Sequence, residues 1–493
     1  MSTRLPHATS EEPFEPRVTS YGGRGLFATK SIPAGTLLRT CPAPYASAIY
    51  APFRKEVCAH CFAYAFDAGK NAWNVKNDAS PASRFCSEEC MQSWAGEHDL
   101  SLVTRVEKAV QALAKSSLSV KKPVVVPVIA LDGAATEITM QDLDDAWQAA
   151  EAMDGKAGAL VLDEMEEEIM RFVLSAVLHK YYEDAATAEK DANGTQEGAS
   201  AAVSRITSDL DASASSQNGH STHSTTPAGP FAAFLELQDN ELQHVRTNPA
   251  ILPAQIRVWL FLRLAVMGVP GRGGRGSRDS SARGSRGSSA RGSKNPSTRS
   301  SQRSSPAREL QASPSRDSQR TSPVRPSSTP FTSTIPELPK GAIPELAPYL
   351  STPHLLRAIL ARDHANAFGL FDMQEKGESE MLGWAVYVAG SYFNHDCAPN
   401  VRKIRRGRTL QFVTTRDVAP GEELCISYVD VQDTKASRAA QFAQHWNFVC
   451  GCGRCRGEKV EGCEVDGCEV DGCEVDGYDA EGAADGEGQA KRS

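Results

Sequence analysis

Two periodicities divide this chain. Between residues 17 and 50, short β-prone runs in RVTSYGGRGLFATKSIPAGTLLRTCPAPYASAIY are punctuated by Gly22-Gly23 and Pro33-Ala34-Gly35, which predicts strand, turn, strand, turn, strand. From residue 380 onward short strands return in AVYVAGSYF, TLQFVTT and ELCISYV, again divided by Gly and Pro. Between these ends the spacing changes to three and four. Leu160, Leu162, Met165, Ile169, Phe172, Val173 and Val177 predict helix within 141–182, and further helical segments follow at 231–268 and 349–368. If the two β-rich ends form one sheet system, everything between them is inserted into it. The expected class is α+β, a β scaffold split by an inserted cysteine module, helices and linkers.

Composition removes part of the chain from any core. Residues 268–330 are mostly Gly, Ser, Arg and Pro, and 186–229 are rich in Ala, Ser, Thr and Gly, so neither can bury enough apolar surface to offset its ordering entropy. The tail repeats EVDGC, with Cys463, Cys468 and Cys473, a pattern suited to neither strand nor helix. Charge is segregated as well. Residues 271–330 carry 13 Lys/Arg against Asp279, Glu309 and Asp317, a local +10 that leaves about −18 on the rest. An acidic body suits a basic partner. The arginine-rich tract reads as a solvated linker with Ser-Pro sites at Ser305, Ser313 and Ser322, or as a contact for RNA, anionic lipid or the acidic body itself. The first residues lack the apolar segment of a signal peptide, and the most apolar run, 251–269, is broken by Arg257 and Arg263, so no membrane span is expected. These features predict an intracellular protein, in which the 13 cysteines serve as metal ligands or free thiols.

The cysteines fall into two groups. CAHC supplies Cys58 and Cys61, and CSEEC supplies Cys86 and Cys90; the two pairs together complete a tetrahedral zinc site. CGCGRC supplies Cys450, Cys452 and Cys455, with Gly451 and Gly453 letting the backbone fold around a metal. A fourth ligand must come from Cys397, Cys425 or the tail. Cys397 is the favoured choice because it lies in SYFNHDCAPNV, where Asn394, His395 and Asp396 adjoin it.

Four stretches together resemble a known family. GGRGLFATKSIPAGTLL (22–38), NHDCAPN (394–400), GEELCISYVD (421–430) and FVCGCGRC (448–455) are similar, in order, to the motifs of SET-domain protein methyltransferases of the SET-and-MYND type. The resemblance implies a SET domain in two parts, 15–57 and 331–432, with an atypical MYND-like zinc module at 58–98. It also implies helical insertions at 99–185 and 230–267, linkers at 186–229 and 268–330, a post-SET zinc region at 433–457 and a tail from 458. It implies an S-adenosylmethionine site at Arg24, Gly25, Leu26, Asn394, His395 and Phe448, with Asn366 as a further contact. Tyr428 is the implied catalytic residue, Tyr392 lines the implied substrate channel, and Cys397 joins Cys450, Cys452 and Cys455 on zinc.

Two departures qualify this. The module lacks the second interleaved ligand set of a MYND finger, and Leu102 stands where a last ligand is expected, so one zinc is predicted there and His98 is an ordinary helix residue rather than a ligand. Asp396 replaces the family's Ser. The implied activity is methylation of a protein lysine, such as one on a histone tail, in the nucleus or cytoplasm, with about two zincs per chain. The competing reading is a SET-fold adaptor without turnover, contacting RNA through its arginine-rich linker. Glu422 and Glu423 read as a solvated turn.

Overall fold

Four strands open the molecule where three were expected: β1 (Phe14–Val18), β2 (Arg24–Ala28), β3 (Leu37–Cys41) and β4 (Ala46–Ile49). The computed structural model describes residues 12–19, 23–117, 126, 137–153, 160–193, 228–268, 341–372 and 379–458. The cysteine module follows as β5 (Val75–Asn77), β6 (Ser80–Phe85) and α1 (Glu88–Gly96). Then come α2 (Leu100–Ser117), α3 (Met140–Glu151), α4 (Glu164–Asn193), α5 (Phe231–Leu235), α6 (Glu241–Thr247), α7 (Ile251–Met267), α8 (Ala347–Leu350) and α9 (His354–Asn366). The chain returns to strands in β7 (Ala367–Phe371), β8 (Met381–Val386), β9 (Asn394–His395), β10 (Val401–Arg406), β11 (Thr409–Thr414) and β12 (Glu423–Ile426), and closes with α10 (Lys435–His445) and α11 (Gly453–Gly457).

The distant β-rich ends do share sheets. The strand orders are β1-β2-β12-β9, β10-β11-β3 and β4-β8-β7, so each of the three sheets combines strands from both ends of the chain, while β5-β6 stays within the cysteine module. Their shared core includes Phe14, Leu26, Ile32, Phe393, Phe412, Leu424 and Ile426. A separate core holds the helices, where α7 is buried nearly all round and Trp259, Phe261 and Leu262 meet Phe172, Val173 and Trp147. The two arginines that interrupt this apolar run face partners: Arg257 pairs with the buried Glu166, and Arg263 donates to the Glu151 carbonyl at 3.2 Å. No helix among the described residues is long and apolar enough to cross a membrane.

Several boundaries differ from the sequence reading, each for a local reason. The segment 141–182 is two helices, because Thr139 with Asp142 and Asp163 with Glu166 each form reciprocal side-chain caps that begin a new helix. The segment 231–268 is three helices, and the Ser351-Thr352-Pro353 turn splits 349–368 into α8 and α9. Helix α4 runs to Asn193, into the stretch whose composition argued against order, because the alanines at 185, 186 and 188 favour helix. AVYVAGSYF is strand only as far as Val386. A turn follows, with Gly390 N–H bonded to the Tyr387 carbonyl at 2.8 Å, and a Cβ at Gly390 would come within 2.9 Å of Phe412. The remaining low-complexity stretches and the EVDGC tail lie outside the described residues.

Candidate active site and metal centres

Two residues of backbone organise the centre. Strand β9 is short, yet Asn394 and His395 pair in parallel with Cys425 and Ile426, while on the other side of β12 Glu423 and Leu424 pair with Phe27 and Leu26. Side chains reinforce this register. Asn394 Nδ2 donates to the Arg24 carbonyl at 3.1 Å and to Glu423 Oε1 at 2.8 Å. Gly25 leaves room at that crossing: a Cβ there would come within 2.2 Å of Glu423 Oε1 and 2.7 Å of Asn394 Nδ2, so both side-chain ends would have to shift.

Asn400 ties down the far end of the same segment. It is 3% exposed; its Nδ2 donates to Glu422 Oε1 at 3.1 Å and to the Glu423 carbonyl at 2.8 Å, and its Oδ1 accepts the Cys425 N–H at 2.8 Å. Glu422 and Glu423 are therefore fastening groups rather than the solvated turn expected from sequence. Hydrogen bonding to Arg416 holds the Glu422 carboxyl below its usual range. Asp396, standing in for Ser, accepts the Ala398 N–H at 2.7 Å and closes the turn that presents Cys397.

His395 is a bridge. Its Nδ1 accepts the Tyr428 N–H at 3.1 Å, which places the ring proton on Nε2, 3.2 Å from Cys397 Sγ. Burial, with the charges of Arg438 and Lys403, lowers its pKa to about 4, so the imidazole is neutral at physiological pH. The Tyr428 hydroxyl donates to the Phe393 carbonyl at 3.0 Å. Burial, followed by the nearby Cys425 and Glu423, pushes that phenol well above its ordinary value and keeps it protonated. Trp446 lies 5.3 Å from the Tyr428 ring, and Phe448 stacks on Phe442 at 5.0 Å and stands 6.2 Å from His395.

Cys397 joins Cys450, Cys452 and Cys455 with all four Sγ atoms within 4.8 Å of one another. A tetrahedral zinc with bonds of about 2.3 Å has sulfurs about 3.8 Å apart, so this donor set fits one ion. Cys397 lies 3.4 Å from Cys455 and 3.9 Å from Cys450. Arg438, 1% exposed, directs Nη2 at Cys455 Sγ at 3.7 Å and offsets the negative charge of a thiolate cluster. Cys425 is buried in β12 outside this group, and the tail cysteines are outside the described residues.

Cys58, Cys61, Cys86 and Cys90 form the second such group, and these two are the four-cysteine clusters found among the described residues. His98 is no ligand: it stacks on Trp94 at 4.5 Å with Nδ1 at 2.7 Å from the Trp94 carbonyl, part of the fold rather than an ordinary polar helix position. Leu102 is fully buried in the helical core. The module sits on the β10–β11 hairpin, where Arg408 Nη1 meets His60 Nδ1 and both Glu97 oxygens at 2.9 Å.

The helical insertion reaches the centre too, which sequence reasoning did not find. Arg24 pairs with Glu236 at 2.8 Å and lies over the Tyr392 ring at 5.4 Å; Asn366 Nδ2 donates to the Gln238 carbonyl at 2.9 Å. The Tyr392 hydroxyl beside them is buried without a hydrogen-bond partner. An orphaned phenol beside a carboxylate and a guanidinium fits a polar nucleoside ligand such as S-adenosylmethionine. The structure thus brings Arg24, Gly25, Leu26, Tyr392, Asn394, His395, Tyr428, Phe448 and the Cys397 cluster into one neighbourhood, with Asn366 joined through Gln238 and the Ser391 hydroxyl. It also turns the Asn394 and His395 side chains inward.

The SET domain family model matches residues 274–429. The chain is similar to the potential protein lysine methyltransferase SET6 of Saccharomyces cerevisiae, 43% identical over 111 residues, which are 22% of this chain and 30% of that protein. It is similar to the histone-lysine N-methyltransferase ASHR2 of Arabidopsis thaliana, 32% identical over 120 residues, 22% of this chain and 30% of that protein. A SET and MYND domain-containing protein of Dictyostelium discoideum matches at 31% over 102 residues, 21% and 25% of the two chains. The chain thus spans less than a third of the length of these relatives. The family match leaves out β1 to β4, which the sheets join to it through β2-β12, β3-β11 and β4-β8.

Proposed function

We propose that this protein is an S-adenosylmethionine-dependent protein-lysine methyltransferase of the SET-and-MYND type. In this reading its SET domain is split by insertions, its MYND-like module holds one zinc, and it works in the nucleus or cytoplasm. The observation that carries the reading is the crossing at Asn394, where one side chain joins the Arg24 carbonyl to Glu423 and the next residue, His395, leads to both Tyr428 and the Cys397 cluster.

When bound, the sulfonium cofactor supplies an electrophilic methyl group and leaves as a neutral thioether. The chain's own residues hold and align. Arg24, Gly25 and Leu26 line the site from β2, the 394–395 segment lines it from β9, and Phe448 and Phe442 close it from the post-SET side. Tyr428 orients the acceptor amine through hydroxyl lone pairs left by its bond to the Phe393 carbonyl; as a protonated phenol it acts by positioning and not as an anionic base. The acceptor lysine must arrive neutral, and exclusion of water by the aromatic wall favours that form over an ammonium whose reference pKa is about 10.4. Four thiolates on zinc keep the post-SET segment against His395.

Incubation of the purified chain with isotopically labelled S-adenosylmethionine and cell extract, followed by mass spectrometry, tests this. Methyl label on lysine peptides is the expected result. Cofactor binding with no labelled protein would favour the adaptor reading.

A further inference from the structure

The inserted segment that ends α5 is pinned by its own side chains before it meets the β sheets. Phe234 and Leu237 are buried in the helical core, with Phe234 5.0 Å from the Tyr45 ring that precedes β4 and stacked on Phe231 at 5.8 Å. Glu236 caps α5 between these anchors, its N–H bonded to the Ala233 carbonyl at 3.3 Å. Its carboxylate takes Arg24 Nη1 at 2.8 Å, and its carbonyl takes Arg24 Nη2. Two residues on, the Gln238 carbonyl accepts from Asn366 Nδ2 at 2.9 Å, and a Cβ at Gly23 would come within 3.5 Å of Gln238 Oε1. Residues 236–238 thus run against the start of β2.

Arg24 is gripped at both ends. Asn394 donates to its carbonyl at 3.1 Å, while Glu236 holds its guanidinium, which lies 5.4 Å over the Tyr392 ring. The hydroxyl of that ring is buried with no hydrogen-bond partner, a polar group that a ligand would complete. An arginine side chain left to itself samples many rotamers, and a ligand that used it would bear the entropy of fixing one. Glu236 fixes it in advance. Another ion pair of similar exposure, Arg105 with Glu345, joins α2 to the segment before α8 and makes no contact with β2.

We infer that Glu236 is a positioning residue of the methyl-donor site: it holds the Arg24 guanidinium against Tyr392 in the free chain, so that donor affinity depends on the helical insertion as well as on the two β-rich ends. This rests on the methyltransferase reading and deepens it, since the insertion becomes part of the cofactor site rather than a spacer within the SET domain. Glu236 acts through Arg24 and not on the reacting atoms.

Calorimetry of the full chain with S-adenosylhomocysteine tests this. Glu236→Ala should weaken binding about three- to tenfold, the range for one rotamer-rich side chain that must be ordered on binding. Glu236→Gln, which keeps an acceptor, should recover most of the loss. Arg24→Ala should weaken binding at least as much, and adding Glu236→Ala to it should change affinity by less than about twofold, because the two act through one guanidinium. Glu345→Ala, which removes the Arg105 pair, should leave affinity unchanged, and thermal unfolding with zinc content confirms that each variant is folded. Unchanged binding in Glu236→Ala overturns the inference. Tighter binding overturns it too, because the carboxylate would then compete with the donor for Arg24, and additive losses in the double variant do the same by marking a general effect on the fold. A wild-type chain that binds no S-adenosylhomocysteine sinks the methyltransferase reading and the inference with it, whereas wild-type binding without a Glu236 effect sinks the inference alone.

Discussion

The two four-cysteine groups have the same composition and opposite relations to the centre. Cys58, Cys61, Cys86 and Cys90 come from two local pairs within a module that owns an aromatic core of Trp73, Phe85 and Trp94 and leans on the rest through surface contacts such as Arg408 with Glu97. Cys397, Cys450, Cys452 and Cys455 have little core of their own beyond Phe442, and one ligand comes from the very segment that holds Asn394 and His395. The first cluster folds its own neighbourhood. The second fastens a distant piece of chain to the candidate site, so a metal there would be tied to that site through the His395–Cys397 spacing.

That contrast is open to direct attack. The largest expected effect is at the second cluster: Cys450→Ser should lower the zinc content from about two ions per chain to about one and weaken S-adenosylmethionine at least tenfold, read by metal analysis and calorimetry. Cys58→Ser should also remove one zinc yet change cofactor affinity less than about twofold, since a first-ligand loss there melts only the module. Equal effects of the two changes would erase the comparison. Tyr428→Phe should lower turnover by about 10²-fold, within the usual range for a positioned proton-bearing group, while keeping both zincs and cofactor affinity; unchanged turnover would remove Tyr428 from its role. Gly25→Ala should cost about 1–3 kcal/mol through the clash with Glu423 and Asn394 and appear as weaker cofactor binding and lower thermal stability, again with both metals retained. Smallest of all, Arg408→Ala should cost about 1 kcal/mol or less, because Glu97 is half exposed and the pair is screened. Its signature is faster zinc loss from the first cluster with donor affinity untouched.

Legibility followed the distance over which each feature is encoded. Both cysteine groups could be read from spacing because a tetrahedral ion demands paired thiols a few residues apart, and Cys397 was recoverable from its polar neighbours. Glu422 and Glu423 were misread as a solvated turn because their partners, Asn394 and Asn400, are more than twenty positions away. Glu236 and Gln238 carried no signal at all, since their roles exist only where an inserted helix meets Arg24 and Asn366.

Local chemistry, then, was written in the order of residues: which stretches turn, which thiols gather, which phenol follows a strand. Register and convergence were not, because the free energy that unites Arg24, Asn394 and Tyr428 comes from burying a core assembled from both ends of the chain, and no window of sequence contains both sides of that contact.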